Sequence, residues 1–521
     1  MYKWLALAFL SLYLLTASGR IDSGDGQAMY QVTDSLLNGR GFVISAAGND
    51  EPFLGARGEI IPSQSVQGSS YGAFGVDGRY YAKSGPGQSV AAIPFYLLGK
   101  LAHLIWPAWS EQFWARAGVM SLNAVVTALS VTLVAMTARL FFSRATALVS
   151  GVIFGLATPA WVYAKSFFNE PLLGALMLLG GYAAMRARRE PRLVWYAVSG
   201  LALGAAVFTK PMAALGALAV AIYLFLACRP TRYQWAAWLG LFAAPMMVLA
   251  SYNCVRFGNP FVIGYGATAQ WNTPPWLGAY GLLLSSGKGL AWFAPVVVLG
   301  VAALPAFIRR AQAEGWLVTG VAGVFIAAHA FYSHWHGGGC WGPRLIVPIV
   351  AWLILPLGEI LERRSRPALQ ELGLAAIIAV SVIVQVLGVS VNYARHLQTV
   401  YQTSNSTEEY FNRVQFSWAD SPITGQVNEW LAVSSVLRRP EGRSQLHALV
   451  ADALAAPPRD DSFYDAWAEA IGFLGFNTLD YWFVYAWLLG MPLWVIAVLL
   501  AVLIVVLLVS WWSLRAFLLS A

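Results

Sequence analysis

Long apolar segments separated by short polar connections constrain this chain more than any other feature of its sequence. Each segment has roughly the 17–25 residues that a helix needs to cross the hydrocarbon core of a bilayer. The composition agrees, because 58% of the residues are hydrophobic and 11% are charged, whereas soluble domains carry about 25% charged residues. We therefore predict an all-α polytopic membrane protein with twelve spans, near residues 3–19, 113–140, 145–164, 167–186, 193–209, 211–228, 235–253, 288–308, 316–333, 343–361, 371–391 and 482–510.

The charges of the connections indicate how these spans are oriented. Basic connections lie after every second span, at residues 139–144, 186–192, 228–232, 308–310 and 362–366. Because cytoplasmic loops are enriched in lysine and arginine, all of them are expected on the inner side of the membrane. The net charge of +8 is therefore attributed to membrane orientation. No nucleic-acid partner is predicted, since the sequence has no nucleic-acid-binding motif.

One further apolar run, residues 89–106, does not fit this orientation. If it crossed the membrane, either the first span would be reversed or the basic connections would all lie outside. The run also contains Pro94, Lys100 and His103. We therefore predict that it is a helix lying along the outer membrane interface.

The predicted topology divides the chain into three parts. Residues 1–391 form the membrane region, whose first outer loop is 20–112; residues 392–481 form an outer C-terminal segment; and residues 482–521 form the final span and tail. The inner connections are short, so the polar part of the chain lies outside. We expect the segment 392–481 to shape the acceptor side of a site; the alternative is a solvated cap on the first loop.

Candidate reactive side chains follow the first span. Asp22 and Asp25 lie just beyond it, where a carboxylate is partly desolvated at the bilayer surface, although most loop acids are simply solvated. Tyr81 and Lys83 precede a Gly-Pro-Gly turn, which favours a sharp change of chain direction. We expect Lys83, with Tyr81 beside it, to bind a lipid phosphate. The alternative is a turn with aromatic interface anchors.

Two later spans also present charges at their outer ends, Glu170 in "SFFNEP" and Lys210 in "FTKPM". A charged side chain at the end of a span often extends towards the headgroups. Because several such charges lie on the same side of the membrane, we predict that they share a polar substrate cavity.

The stretch "HWHGGGCWGPR", residues 334–344, interrupts two apolar runs with polar chemistry. Its glycines permit close backbone approach, and Trp335, His336 and Trp341 suit a substrate cavity or an interface belt equally well. The His334–His336 pair leaves a divalent metal open, but no third ligand is fixed by spacing, so no metal site is predicted. Arg344 opens a span, where its charge is costly unless it meets an anion. A phosphate fits its bidentate fork.

Four stretches together resemble the GT-C membrane glycosyltransferases, in particular the bacterial polyprenyl-phosphate-sugar-dependent enzymes related to protein mannosyltransferases and aminoarabinose transferases. The stretches are "SGDGQAMYQVTDSLLNGRGF", "RYYAKSGPGQSVAAIPFYLLGK", "ATPAWVYAKSFFNEP" and "WHGGGCWGPRLIVPIVAWLILPL". The resemblance covers roughly residues 1–390 and implies periplasmic juxtamembrane helices in the first loop. It further implies that Asp25 corresponds to the family's catalytic acidic residue and Lys83 to the basic residue of the first loop that approaches the donor phosphate. Gly26 stands where an acidic residue often follows, which leaves Asp22 as a rival to Asp25.

The expected function is a glycosyltransferase of the bacterial inner membrane with its active site facing the periplasm. Its expected partners are a polyprenyl-phosphate-sugar donor, a periplasmic acceptor and membrane lipids. Lys83 and Arg344 would stabilise the leaving phosphate, and a carboxylate base would accept the acceptor's proton, giving inversion. The alternatives are a transporter or flippase of lipid-linked glycans, which would be expected to show internal repeats and broken helices, and an oligosaccharide polymerase or ligase.

The predicted path of residues 89–106 can be tested with topology reporters. Fusions after Asp77 and after Trp109 should both report the outer side, because an interfacial helix does not change the side of the chain. A cytoplasmic signal at Trp109 alone would contradict the predicted topology.

Overall fold

The computed structural model describes residues 1–44, 53–54, 60–61, 72–265, 270–363, 365–455 and 466–519. Within these ranges the regular structure is almost entirely helical, and the predicted all-α class is confirmed. The helices, numbered in chain order, are α1 (Tyr2–Leu15), α2 (Gly24–Leu37), α3 (Gly87–Ala91), α4 (Ile93–Ile105), α5 (Glu111–Ala138), α6 (Arg144–Leu156), α7 (Ala160–Ala164), α8 (Glu170–Arg189), α9 (Leu193–Thr209), α10 (Ala213–Tyr223), α11 (Arg232–Phe257), α12 (Pro275–Leu283), α13 (Leu290–Phe293), α14 (Pro295–Arg310), α15 (Gln312–Phe331), α16 (Val347–Ile354), α17 (Gly358–Leu361), α18 (Ala368–Ser390), α19 (Ala394–Gln402), α20 (Thr407–Phe416), α21 (Pro422–Arg438), α22 (Pro440–Ala455), α23 (Ala466–Asn477), α24 (Trp482–Leu488) and α25 (Leu493–Leu519).

Short strands occur in the first outer loop. β1 (Phe53–Leu54) pairs antiparallel with β2 (Ile60–Ile61), and β3 (Gly72–Phe74) pairs antiparallel with β4 (Tyr80–Ala82). The second hairpin matters for the site, because Lys83 follows directly after β4.

Among the described residues, six helical segments are long and apolar enough to cross a membrane, namely Glu111–Ala138, Arg232–Phe257, Gln312–Phe331, Arg344–Leu361, Ala368–Ser390 and Leu493–Phe517. Shorter apolar helices lie at Tyr2–Leu15, Ile93–Ile105, Arg144–Leu156, Leu193–Thr209 and Ala213–Cys228. The chain is thus a multi-pass membrane protein, while the count of twelve spans stays a prediction.

The structure differs from the sequence expectation at the last predicted span. Residues 482–510 do not form one continuous helix, because α24 ends at Leu488 and α25 begins at Leu493. Gly490 between them has a φ of +85°, a left-handed conformation that suits glycine and interrupts a helix. The apolar helix of the final span therefore begins later than predicted.

Small residues allow neighbouring membrane helices to approach closely. Gly200 and Gly204 on α9 lie against the backbone of α11, where an added Cβ would collide with the carbonyl oxygens of Trp238 and Phe242. In membranes such small-residue contacts favour helix association, because the backbones can reach van der Waals contact. The contact fixes α9, whose outer end carries Lys210.

The run 89–106 is divided between α3 and α4, with Pro94 in the first turn of α4. Leu97, Leu101 and Leu104 are exposed on α4. At 13 residues this helix is about 20 Å long, which is shorter than the roughly 30 Å of a hydrocarbon core. These features are compatible with an interfacial helix, and its position at the outer interface stays a prediction.

A buried ion cluster joins the start of the first outer loop to the end of the outer C-terminal segment. Asp480 accepts a hydrogen bond from Arg20 Nε at 3.2 Å and pairs with Lys165 Nζ at 2.8 Å. Asp22 lies 4.0 Å from Arg20 in the same cluster. Burial alone would raise the pKa of Asp480, but the two cations lower it to about 2. The carboxylate is therefore ionised at neutral pH and holds three distant segments together.

Asp480→Asn should destabilise the protein, because it leaves Arg20 and Lys165 buried without their counter-ion. Breaking a buried ion pair typically costs about 3–5 kcal/mol. Thermal unfolding in detergent should show a clear loss. Lys100→Met serves as the control, because the Lys100–Glu111 pair is exposed and such pairs contribute about 0–1 kcal/mol.

The stabilisation of the folded protein by Asp480 should also decrease at low pH. The pKa of Asp480 is lower in the folded protein, about 2, than in the unfolded chain, about 3.9. The contribution of this carboxylate should therefore be complete above about pH 4 and disappear as the pH falls towards 2. Equal stability of Asp480→Asn and wild type at neutral pH would contradict this role.

Candidate active site

Arg344 lies between two carboxylates that come from different outer segments. Its Nη2 donates a hydrogen bond of 2.7 Å to Asp25 Oδ2, across a sequence separation of 319 residues. Its Nε lies 3.1 Å from Glu170 Oε1. The guanidinium carbon also lies 4.3 Å from the centre of the Phe168 ring. Three distant parts of the chain, all predicted to lie on the outer side of the membrane, therefore meet at one cation.

Local sequence places Asp25 in the first turn of α2. Ser23 is the N-cap, and its hydroxyl accepts a hydrogen bond from the backbone N–H of Gly26, which is a common way to start a helix. An added Cβ on Gly26 would lie 2.8 Å from Ile21 and from the Ser23 hydroxyl. Close packing thus gives a physical reason for glycine at this position. The Asp25 side chain remains 40% exposed, so a substrate can reach it.

Glu170 is the buried anchor of the cluster. It begins α8 and its side chain is 0% exposed. Oε1 accepts a hydrogen bond of 2.9 Å from Lys210 Nζ, at the outer end of α9. Among the described residues Oε2 has no hydrogen-bond partner, and a cavity of about 20 Å³ adjoins this side chain. Apolar side chains form most of its lining, together with Thr127, Ser130 and Tyr163, and its volume is large enough for one water molecule.

The Gly-Pro-Gly turn brings Lys83 to the same region. Gly85 and Gly87 lie against the outer end of α9, where an added Cβ at Gly85 would be 2.5 Å from the carbonyl oxygen of Phe208. A Cβ at Gly87 would collide with Thr209, the residue before Lys210. Burial lowers the pKa of the Lys83 ammonium, and nearby Asp25 acts in the opposite direction. Lys83 is thus close enough to Asp25 for their charges to interact.

Lys288 fixes the glycine-rich turn before Arg344 by hydrogen bonds to its backbone. Gly337 and Gly338 have φ angles of +70° and +78°, a region that glycine adopts without a steric penalty. The buried Lys288 ammonium donates hydrogen bonds of 2.9 Å to the carbonyl of Gly338 and 2.6 Å to that of Cys340. The turn therefore has a defined conformation, and it fixes the backbone that leads into Arg344.

The histidines of this turn are poor candidates for metal ligands. His336 Nδ1 accepts a hydrogen bond from the backbone N–H of Gly338, and burial, with help from nearby Lys288, lowers the pKa of His336 to about 3. Within the described residues, no group of three histidine, cysteine, aspartate or glutamate side chains could hold a metal ion. Asp25 and Glu170 are both engaged by cations instead.

The structure brings together five of the residues predicted from the sequence: Asp25, Lys83, Glu170, Lys210 and Arg344. It places the rival Asp22 elsewhere, beside Arg20 in the Asp480 cluster. Burial raises the pKa of Asp22, and the Arg20 guanidinium acts in the opposite direction.

The predicted aromatic residues have other surroundings than expected. The hydroxyl of the buried Tyr81 donates a hydrogen bond of 2.7 Å to Asp77, and its phosphate role stays a prediction. Trp341 is fully buried, with its ring 5.0 Å from that of Phe293. Trp335 is likewise buried, against Gly281. Both tryptophans belong to the glycine-rich stretch itself and pack into the protein interior.

Three aromatic side chains near the cluster were not predicted. Phe168 stacks on Arg344, and Tyr265 and Tyr332 lie close enough to Asp25 and Arg344 for those charges to act on them. The Lys83 ammonium is 6.0 Å from the centre of the Tyr265 ring. Phe168 stands two residues before Glu170, and this closeness in sequence could have identified it as a site residue. Nothing in the sequence indicates the two tyrosines, because folding alone brings their loops here.

Comparisons with known proteins agree with this architecture. Residues 113–253 match the family model of the dolichyl-phosphate-mannose-protein mannosyltransferases. The chain is similar in structure to ArnT from Cupriavidus metallidurans bound to undecaprenyl phosphate, with 14% identity, a TM-score of 0.51, and coverage of 91% of this chain and 84% of that chain. The apo state of the same protein gives 14% identity, a TM-score of 0.46, and coverage of 91% and 75%.

A more distant structure is the archaeal oligosaccharyltransferase AglB from Archaeoglobus fulgidus, in complex with an inhibitory peptide and a dolichol phosphate. It shares 11% identity and a TM-score of 0.43, covering 90% of this chain and 63% of that chain. A comparison with curated proteins found no match.

The family model and the structural similarity to ArnT together identify the fold of this chain. The helical membrane architecture is similar to that of ArnT, and residues 113–253 match the mannosyltransferase family model. The GT-C resemblance predicted from the sequence motifs is thus confirmed at the level of the fold.

Gly87→Ala should disturb the site without touching a charged residue. The new Cβ would lie 2.6 Å from Thr209 Cα, so the first loop has to move away from Lys210. Overpacking of this kind typically costs about 1–3 kcal/mol. We expect a lower unfolding temperature and weaker binding of anionic lipid. Gly240→Ala is the control, because its Cβ would meet nothing within 4 Å. Wild-type behaviour of both variants would contradict the close approach.

Proposed function

We propose that the protein transfers a sugar from a polyprenyl-phosphate donor to an acceptor on the outer face of the bacterial inner membrane, with inversion at the anomeric carbon. The observation that carries this proposal is the cluster of Asp25, Lys83, Glu170, Lys210 and Arg344. The fold and the family model support it at the coarser level of a lipid-phosphate-linked glycosyltransferase.

The charge of the cluster suits such a donor. Lys83, Lys210 and Arg344 are opposed by Asp25 and Glu170, which leaves one net positive charge. A sugar esterified to a lipid phosphate carries one negative charge, so its binding would neutralise the site. Arginine is well suited to a phosphate because its planar fork makes two parallel hydrogen bonds.

The reaction would be a direct displacement. The acceptor hydroxyl gives its proton to Asp25, its oxygen bonds to the anomeric carbon, and the bond from that carbon to the phosphate oxygen breaks. The lipid phosphate leaves with an additional negative charge. Lys83 and Arg344 would stabilise that charge as it develops.

The pairing of Asp25 with Arg344 explains how one site can hold a base and a phosphate-binding cation. In the structure each neutralises the other, at 2.7 Å. A donor phosphate would compete with Asp25 for the guanidinium. Donor binding would therefore release the half-exposed carboxylate towards the acceptor.

The donor class follows from the side of the membrane. Nucleotide sugars are cytoplasmic, and the predicted inner connections are too short to house a nucleotide-binding domain. A site at the outer ends of the spans is best served by a sugar already carried on a lipid. The acceptor is a glycan, lipid or protein of the periplasm, and segment 392–481 is proposed to shape that side.

A transfer assay distinguishes the candidate functions. Purified protein is mixed with a radiolabelled polyprenyl-phosphate sugar and membrane extract, and label is followed into products. We expect transfer of the sugar to an acceptor. Translocation of label across vesicles without transfer would instead indicate a flippase, and activity only with lipid-diphosphate glycans would indicate a polymerase or ligase.

Asp25→Asn should abolish transfer, because it keeps the side-chain size and removes the base. It should not weaken donor binding, because the neutral amide competes less than the carboxylate with the donor phosphate for Arg344. Loss of a general base typically lowers turnover by about 10²–10⁴-fold. Asp22→Asn is the matched control, since Asp22 lies in the Arg20 cluster. It should alter stability and retain turnover. Normal turnover of Asp25→Asn would end the proposal that Asp25 is the base.

A further inference from the structure

The two carboxylates of the site converge on cations in a geometry that resembles a metal site. Asp25 comes from the first outer loop and Glu170 from the start of α8, yet both approach one guanidinium, at 2.7 Å and 3.1 Å. Glu170 receives a second cation, Lys210, at 2.9 Å. Such a carboxylate pair beside a substrate phosphate is also the arrangement in which proteins commonly hold Mg²⁺ or Mn²⁺.

The two basic side chains of this arrangement supply the same charge as a divalent cation. Arg344 and Lys210 bring two positive charges to two carboxylates, and the Arg344 side chain is only 15% exposed. A metal ion entering this position would meet both cations at short range. Electrostatic repulsion in such a poorly solvated place is strong, because water screens it little.

From this arrangement we infer that Arg344, supported by Lys210, takes the place of a divalent cation between Asp25 and Glu170. Transfer by this site therefore needs no metal ion. The statement about transfer rests on the proposed function. The exclusion of a metal ion by Arg344, however, is a property of the protein without substrate.

Removal of Arg344 should convert the position into a metal site. Asp25 is 40% exposed, and among the described residues Glu170 Oε2 has no hydrogen-bond partner. Without the guanidinium, the two carboxylates would lose the cation between them, and Lys210 beside Glu170 and Lys83 near Asp25 would remain. Carboxylate oxygens are the ligands that Mn²⁺ and Mg²⁺ prefer.

Mn²⁺ binding tests the inference directly. Detergent-purified wild type, Arg344→Ala and the double variant Arg344→Ala with Glu170→Gln are titrated with Mn²⁺, and free ion is measured by electron paramagnetic resonance. We expect Arg344→Ala to bind one Mn²⁺ that wild type and the double variant do not bind. Arg188→Ala is the matched control, because it uncovers the lone carboxylate of Glu314, and it should bind none.

Thermal unfolding shows whether each variant is folded. If Arg344→Ala does not fold, Arg344→Gln replaces it, since it removes the charge and keeps a polar side chain. Wild type that binds Mn²⁺ and loses it on Glu170→Gln would overturn the inference. So would a folded Arg344 variant that binds no Mn²⁺.

Transfer measurements add a second readout. Treatment of wild type with EDTA should leave turnover unchanged, and a loss that Mg²⁺ or Mn²⁺ restores would overturn the inference. If no polyprenyl-phosphate sugar supports transfer at all, the proposed function fails. The Mn²⁺ titrations still decide the cation site in that case, because they need no substrate.

Discussion

The contact of Arg344 with Asp25 and Glu170 is the interaction on which the rest of the site depends. A permanently charged guanidinium at the end of a membrane span is costly unless anions surround it. The two carboxylates meet that requirement, and Phe168 covers one face of the group. Because Glu170 also binds Lys210, the same contact connects the outer ends of α2, α8 and α9 with the glycine-rich turn.

The two ion clusters, around Asp480 and around Arg344, differ in the exposure of their carboxylates. Asp480 is 4% exposed and is bound by two cations and by the Tyr485 hydroxyl, so it stabilises the junction of distant segments. Asp25 has one cation at hydrogen-bond distance and remains accessible. Asp22 in the first cluster is 15% exposed, whereas Asp25 is 40% exposed, and this difference in accessibility favours Asp25 as the proposed base.

The membrane helices could be predicted from the sequence more completely than the contacts between the site residues. Apolar length and basic connections predict membrane helices because the bilayer imposes both. We could name Asp25, Lys83, Glu170, Lys210 and Arg344 because charged residues are few in this chain, 11%, and these ones adjoin apolar runs on the same predicted side of the membrane.

Their mutual pairing could not be predicted, since a contact across 319 residues depends on how the helices pack. The same reason explains the wrong start of the last helix and the buried environment of Trp341. Aromatic side chains suit a substrate face and a protein core equally well. A glycine such as Gly490 reveals a helix break only once its backbone conformation is known.

The central claim is that the outer cluster holds the phosphate of a lipid-linked sugar. The most direct measurement is a cryo-electron microscopy structure of the protein with a non-hydrolysable polyprenyl-phosphonate sugar. The account predicts the phosphonate between Lys83 and Arg344, within hydrogen-bond distance of both, with Asp25 released towards the anomeric carbon. Phosphonate density at the inner ends of the spans, or beside Asp480 with the Asp25–Arg344 pair intact, would contradict it.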